Sequence, residues 1–168
     1  GDDVSFFMTV MIKKYLFAGV LLLMGMTCRA QSLSLEELQG LTGMTTDQVH
    51  NFLIINKGFK PLGKIMLNGK SFDRFKSNRV DPATAETLSL GQSNQLMSGN
   101  TTRQVIYQTQ RFQDLNSLYT QAKRSTMTLI FEGRDAYQNI YRFDNSLFTT
   151  VINVNLDKRS GTVQLDEK

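Results

Sequence analysis

The feature that most constrains this chain is a strict alternation near its C-terminus. Phe148, Thr150, Ile152, Val154 and Leu156 fall on one side of an extended segment, and Asn153, Asn155 and Asp157 fall on the other. Successive side chains of a strand point to opposite faces, so the spacing predicts one face in a core and one in water. A strand wet on one side belongs to an antiparallel sheet, because parallel sheets are covered on both faces. The surrounding residues extend the pattern. Met127, Leu129 and Phe131 alternate with Thr128 and Ile130, and Glu132-Gly-Arg-Asp135 reads as a hairpin turn into a strand from Tyr137 to Phe143. Asp144-Asn145 then turns into the alternating strand, and Arg159-Ser-Gly161 turns into a closing strand from Thr162 to Leu165.

Helical signals precede these strands. Ser34-Leu-Glu-Glu37 and Thr45-Thr-Asp-Gln48 both match the capping box, in which a hydroxyl accepts from a free backbone N–H and the third residue on reaches back. They predict helices over about Leu35–Leu41 and Thr46–Lys57, the second with Val49, Phe52 and Leu53 inward and ended by Lys57 and Gly58. Phe59–Leu67 then reads as a strand turning at Asn68-Gly69 into Ser71–Lys76. Pro61 places the first of these at an edge, and the offset of three between Phe72 and Phe75 predicts a bulge in the second. Residues Asp81 to Asn100 are polar and weakly periodic, so they read as a long connection with a turn of helix near Ala83–Leu88. A strand follows at Arg103–Gln110. Phe112, Leu115, Leu118, Tyr119 and Ala122 form one apolar stripe of a third helix. The expected fold is α+β, with short helices on one face of an antiparallel sheet. Its order implies two loose half-repeats, about 31–110 and 111–168, within a single domain at 31–168.

Compartment is read from the opposite end. Lys13-Lys14, an uncharged run from Tyr15 to Cys28 and a small residue at Ala30 give the basic, apolar, small order of a secretory signal peptide over 11–30. The run is shorter than the ~20 residues needed to cross a bilayer as a helix. Residues 1–10 add nothing such a segment needs, and Asp2 and Asp3 carry the wrong sign. They read as non-native or as an over-called start. Cleavage after Ala30, exposing Gln31, is the first reading, and the product is periplasmic or secreted. Acylation of Cys28, which would make an outer-membrane lipoprotein, is the alternative, with Thr27 a poor fit before it; retention of the apolar segment is the third. The Cys-x-Ala end followed by Gln resembles signal peptides of the Bacteroidetes group of bacteria. Cys28 is the chain's one cysteine, so the domain beyond it has to hold by burial without disulfides.

Gly43-Met44-Thr45-x-x-Gln48-Val49 resembles the start of the second helix in two exported families. These are the small outer-membrane lipoproteins that assist β-barrel assembly and the β-lactamase-inhibitor proteins, which build two helix-helix-strand repeats into one antiparallel sheet. The resemblance covers about nine residues and implies fold, export and protein binding, with no functional residue to carry over. The chain departs from those families where its helix runs on to Asn56-Lys-Gly-Phe59, and its second half has no Gly-Met-Thr echo.

Motifs that carry chemistry are few. His50 is the single histidine, with only Asp47 near it in sequence, and reads as an exposed surface residue. Asp135, Asp144, Asp157 and Asp166 sit singly in hairpin turns, without the closely alternating loop of a calcium site. No Gly-x-Ser-x-Gly elbow is present. Asn100-Thr-Thr102 is a formal glycosylation triplet that marks a polar loop. The reading is therefore non-enzymatic, with no catalytic, cofactor or metal residues. The chain carries a net charge of +4, and Lys57, Lys60, Lys64, Lys70, Arg74, Lys76 and Arg79 make a basic stretch. Export disfavours nucleic acid, so the stretch reads as a solvated strand face, with an acidic lipid or polysaccharide as alternative partner. The aromatics of the C-terminal strands are mostly core. Tyr137 and Tyr141 with Arg134 and Arg142, beside Asn153 and Asn155, have the composition of a recognition surface for a protein, or of a carbohydrate-stacking one. The expected role is a protein-binding module of the bacterial envelope, with a glycan- or lipid-binding accessory protein as alternative and a hydrolase behind both. Membrane contact is expected only through the signal segment or a lipid on Cys28.

Overall fold

The computed structural model describes residues 32–95 and 101–168. The signal segment, Cys28 and residues 1–10 lie outside the described residues, as does Asn100 of the glycosylation triplet. The described chain has the element order α1 (Leu35–Gly43), α2 (Thr46–His50), a π-helical continuation (Asn51–Asn56), β1 (Phe59–Leu67), β2 (Lys70–Ser77), a 3-10 turn (Pro82–Thr84), β3 (Glu86–Gln95), β4 (Thr101–Thr109), α3 (Phe112–Arg124), β5 (Thr128–Arg134), β6 (Gln138–Asp144), β7 (Phe148–Asn155) and β8 (Gly161–Glu167). The fold is α+β, as the sequence implied. Its eight strands form one sheet in the order β1-β2-β3-β4-β8-β7-β6-β5, and every neighbouring pair is antiparallel. Two four-stranded meanders thus meet at β4 and β8, with α3 as the connection between them.

Both capping boxes form. Glu37 N–H donates to Ser34 Oγ while Ser34 N–H donates to the Glu37 carboxylate, and Thr45 and Gln48 repeat the exchange. The second helix departs from expectation after His50. Lys57 N–H donates to the Phe52 carbonyl at 3.0 Å, an i→i+5 bond that defines the wider π turn. The run Phe52–Ile55 holds more apolar side chains than one helical stripe can bury. The turn keeps Val49 and Leu53 in the core, holds Phe52 and Ile54 at its margin and leaves Ile55 exposed. Gly58, with φ of +71°, closes the segment in the left-handed conformation its position requires.

Alternation across the sheet separates the two faces. Leu88 and Leu90 of β3, Val105 and Tyr107 of β4, Val163 and Leu165 of β8, Thr150 and Ile152 of β7 and Phe143 of β6 share one face, and all are buried. Leu35, Leu38 and Leu41 of α1, Val49 and Leu53 of α2 and its continuation, and Leu115, Leu118 and Ala122 of α3 complete that core. Each fully buried Leu or Phe contributes about 1.5–3 kcal/mol by leaving water. The opposite face carries Gln104, Ile106, Thr149, Val151, Asn153, Thr162, Gln164 and Asp166, and no described helix covers it.

Three sequence expectations are corrected. The polar stretch after Asp81 contains β3, a central strand. Its inward residues are Glu86, Leu88 and Leu90, and on its outward side the Phe72 ring lies over Gly91, where a Cβ would come within 2.5 Å of it. The bulge foreseen in β2 is in its partner: β1 shifts register between Pro61 and Gly63. With β2 regular, Phe72 and Phe75 lie on opposite faces and are buried separately. Finally, β5 continues through Arg134, and its turn is made by Asp135, whose Oδ1 accepts from Tyr137 N–H and Gln138 N–H.

Candidate functional site

The residues singled out for recognition divide between faces. Register pairs Arg134 with Asn139 and Glu132 with Tyr141, which puts Arg134 and Tyr141 on the helix-bearing side. Arg142 pairs with Phe131 and Val151, and Ile140 pairs with Asn153, so Arg142, Asn153 and Asn155 lie on the helix-free face. Tyr137 stands in the β5–β6 turn and is 80% exposed. One patch predicted from composition is therefore two surfaces joined by a turn.

On the helix-free face, amides and hydroxyls interlock across strands. Gln104 Nε2 and Gln164 Nε2 both donate to Asp166, at 2.7 and 2.9 Å, and Asn153 Nδ2 donates to Thr162 Oγ1. Asn155 Nδ2 donates to Ser160 Oγ at 2.7 Å. Thr149 Oγ1 donates to Asp144, which Lys168 also holds; Lys168 and Thr149 keep the Asp144 carboxyl below its usual range. At the margin of this polar field lie the half-exposed Phe131 and the exposed Arg142. Among the described residues neither Arg134 nor Arg142 has an acidic partner within ion-pair distance.

On the helix side, Tyr141 packs edge-on to Tyr119, with ring centroids 4.8 Å apart. Burial, with Glu132 opposite, pushes the Tyr141 hydroxyl up. A cleft of about 270 Å³ opens beside the pair, lined also by Phe112, Asn116, Asn139 and Lys158.

The sequence pattern did not reveal a larger cleft. Beside the end of α1, where Arg103 reaches it, α2 and its π-helical continuation face residues of β1–β4 across a cleft. The space between measures about 330 Å³ and is lined by Val49, His50 and Ile54 above, and by Pro61, Gly63, Phe75 and Leu90 below. A polar continuation of about 380 Å³ adds Lys70, Ser71 and Gly91, and the two share Thr46, Lys64, Asp73, Leu90 and Arg103. Arg103 is fixed by Nη1, which donates to the carbonyls of Leu41 at 3.3 Å and Met44 at 2.8 Å. These are orphan carbonyls at the end of α1, so the guanidinium serves as that helix's C-terminal partner. Lys64 and Asp73 form a loose exposed pair at 3.9 Å. His50 thus does line a cleft, but with a single carboxylate. Only the spacing of His50 and Ile54 on one helix foreshadowed this; the strand floor required the register.

The buried polar cluster was also illegible. Tyr107 Oη donates to Glu86 at 2.6 Å, and Arg79 pairs with the other carboxylate oxygen at 3.1 Å. Thr109 Oγ1 donates to Asp114, which Arg111 approaches. Burial pushes Glu86 up, against the opposing pull of Tyr107 and Arg79, and burial with the neighbouring Glu86 charge pushes the Tyr107 hydroxyl far up. None of these groups lines the clefts described above. Their partners are supplied within the fold, so the cluster locks β3, β4 and the first turn of α3 together. No metal-competent group of three or more His, Cys, Asp or Glu occurs among the described residues.

No protein-family model matches the chain, and no curated protein or solved structure matches it either.

Proposed function

We propose that this chain is a non-enzymatic binding module exported to the bacterial envelope, and that it recognises a protein through the helix-free face of its C-terminal strands. One observation carries the reading: Phe131 and Arg142 stand side by side, half-exposed and exposed, next to Val151, Asn153 and Asn155 on a face that no described helix covers. Aromatic and Arg anchors ringed by amides are the composition of interface hot spots. The export half of the proposal rests on the basic, apolar, small order of 11–30. A cleft that gathers His50 with only one carboxylate favours binding over acid–base hydrolysis, which uses paired titrating groups. The Tyr119–Tyr141 cleft, with Asn116 and Asn139 in its walls, supports a glycan as the second reading.

The test is capture of a partner from envelope extract, followed by affinity measurement on Arg142→Ala and Asn153→Arg, with thermal melting to verify folding. Loss of about 1–2 kcal/mol or more at Arg142→Ala, the range of an interface anchor, is expected. Unchanged affinity in both variants, with loss on Tyr141→Ala, transfers recognition to the helix side and overturns the reading. Mass analysis of the native N-terminus is expected to find Gln31; a chain retaining Met11 contradicts export with cleavage.

A further inference from the structure

We infer that the cleft beneath α2 binds a single-chain amphiphile with an anionic head, such as an alkyl phosphate or a fatty acid. The cleft is a different surface from the protein-binding face, and each site stands or falls separately.

The cleft has two chemically distinct compartments. Its inner part is apolar, with Val49 and Ile54 on one wall and Pro61, Phe75 and Leu90 on the other. Its polar part gathers Lys64, Lys70 and Arg103 around Asp73; Lys64, Arg103 and Asp73 border the apolar part as well, with His50 beside them. An apolar slot continuous with a cationic mouth matches a ligand whose chain leaves water while its head stays paired. A chain with no charge wastes the mouth, and a bare anion wastes the slot. The size of the slot, about 330 Å³, is at the small end of ligand pockets, which run from about 300 to 1,000 Å³. It suits one chain better than a two-chain lipid.

The walls are built from irregular backbone. The upper wall ends in the π-helical segment, and the lower wall contains the β1 bulge with Gly63 at φ +89°. Both devices are over-represented at functional sites, because they re-aim side chains that regular structure would stack. Neighbouring residues of β1 and of the π segment also leave Leu62, Met66 and Ile55 exposed, at 51%, 67% and 69%. Charge and apolarity thus coincide at one place, and the sequence run Lys57–Arg79 supplies most of the charge, through Lys64, Lys70 and Asp73.

The probe is dodecyl phosphate below its micellar concentration, titrated into the full chain by calorimetry. Dodecanol and inorganic phosphate serve as the chain-only and charge-only controls. Expected are one site per chain and at least about tenfold weaker binding of either control, since a charge-assisted hydrogen bond or a buried alkyl segment each exceeds about 1.4 kcal/mol. Lys64→Glu with Lys70→Glu should lower the affinity by about tenfold or more on the same ground. Thr46→Trp, at an exposed lining position, should block entry while the melting temperature stays near that of the parent. Equal binding of dodecanol, or retention of affinity in both variants, overturns the inference. Co-sedimentation with phosphatidylglycerol vesicles separates the two sources of ligand. Pelleting abolished by Thr46→Trp means the amphiphile is drawn from a bilayer into the cleft. Pelleting without any binding of monomeric dodecyl phosphate means an electrostatic surface contact, and the cleft is then not a site.

Discussion

The two meanders reach the same topology by different means. From β5 to β8 register slips once, at Ile130, and the turns at Asp135 and Asn145 repeat one device, a side-chain oxygen accepting two successive backbone N–H groups. From β1 to β4 there are two register shifts, a 3-10 turn before β3 and a π segment before β1. An inner strand of one meander and the edge strand of the other differ in burial as well. Thr150, Ile152 and Val154 of β7 are buried in strict alternation, whereas β1 is buried only at Phe59 and partly at Ile65. Regular backbone goes with closed packing, and irregular backbone surrounds the larger clefts. Stability and ligand access are thereby assigned to different strands of a single sheet.

The comparison can be broken first at α3, which seals the core over both meanders. Leu118 is 1% exposed, and Leu118→Ala should destabilise by about 2–5 kcal/mol in urea unfolding, the range for deleting a buried leucine. A cost below about 0.5 kcal/mol, typical of surface sites, would place α3 off the core. Two glycines sharpen the contrast next. A Cβ at Gly161 in β8 would sit 2.1 Å from the Asn153 carbonyl oxygen and 2.7 Å from Leu115 Cδ1, so Gly161→Ala should cost about 1–3 kcal/mol or more through overpacking. At Gly63 in β1 nothing lies within 4 Å, and only the positive φ resists substitution. Gly63→Ala should cost about 1–2 kcal/mol, through backbone strain alone. A larger loss at Gly63 than at Gly161 would reverse the assignment of tight and open halves.

The same division governs what could be read from sequence. The C-terminal strands were legible because Ile152 and Val154 alternate with asparagines over a whole strand, and the two early helices because their capping boxes are local chemistry. β3 was not legible: its inward positions begin with a carboxylate, Glu86, whose partner Tyr107 is 21 residues on, and its outward side has a glycine, Gly91, where the Phe72 ring occupies the space. The residues singled out for recognition were found as a composition; the face of Asn153 and Asn155 followed from the alternation of their strand, whereas that of Arg134 depends on the bulge at Ile130, which no pattern announced. The cleft beneath α2 was hidden for a related reason. Its lining comes from a helix, a π turn and four strands, and Arg103 belongs to it only because it reaches the carbonyls that end α1.

Amide hydrogen exchange on the full chain tests the division most directly. If β4, β8 and β7 form the stable centre, amides of Val105, Tyr107, Ile152 and Val163 should exchange only through global unfolding, whereas amides of β1 from Gly63 to Leu67 that pair with β2 should open at lower free energy. Addition of dodecyl phosphate should slow β1 and leave the centre as it was. Protection in β1 equal to that of β8 in the free protein would contradict the division, because the irregular half would then be as closed as the regular one.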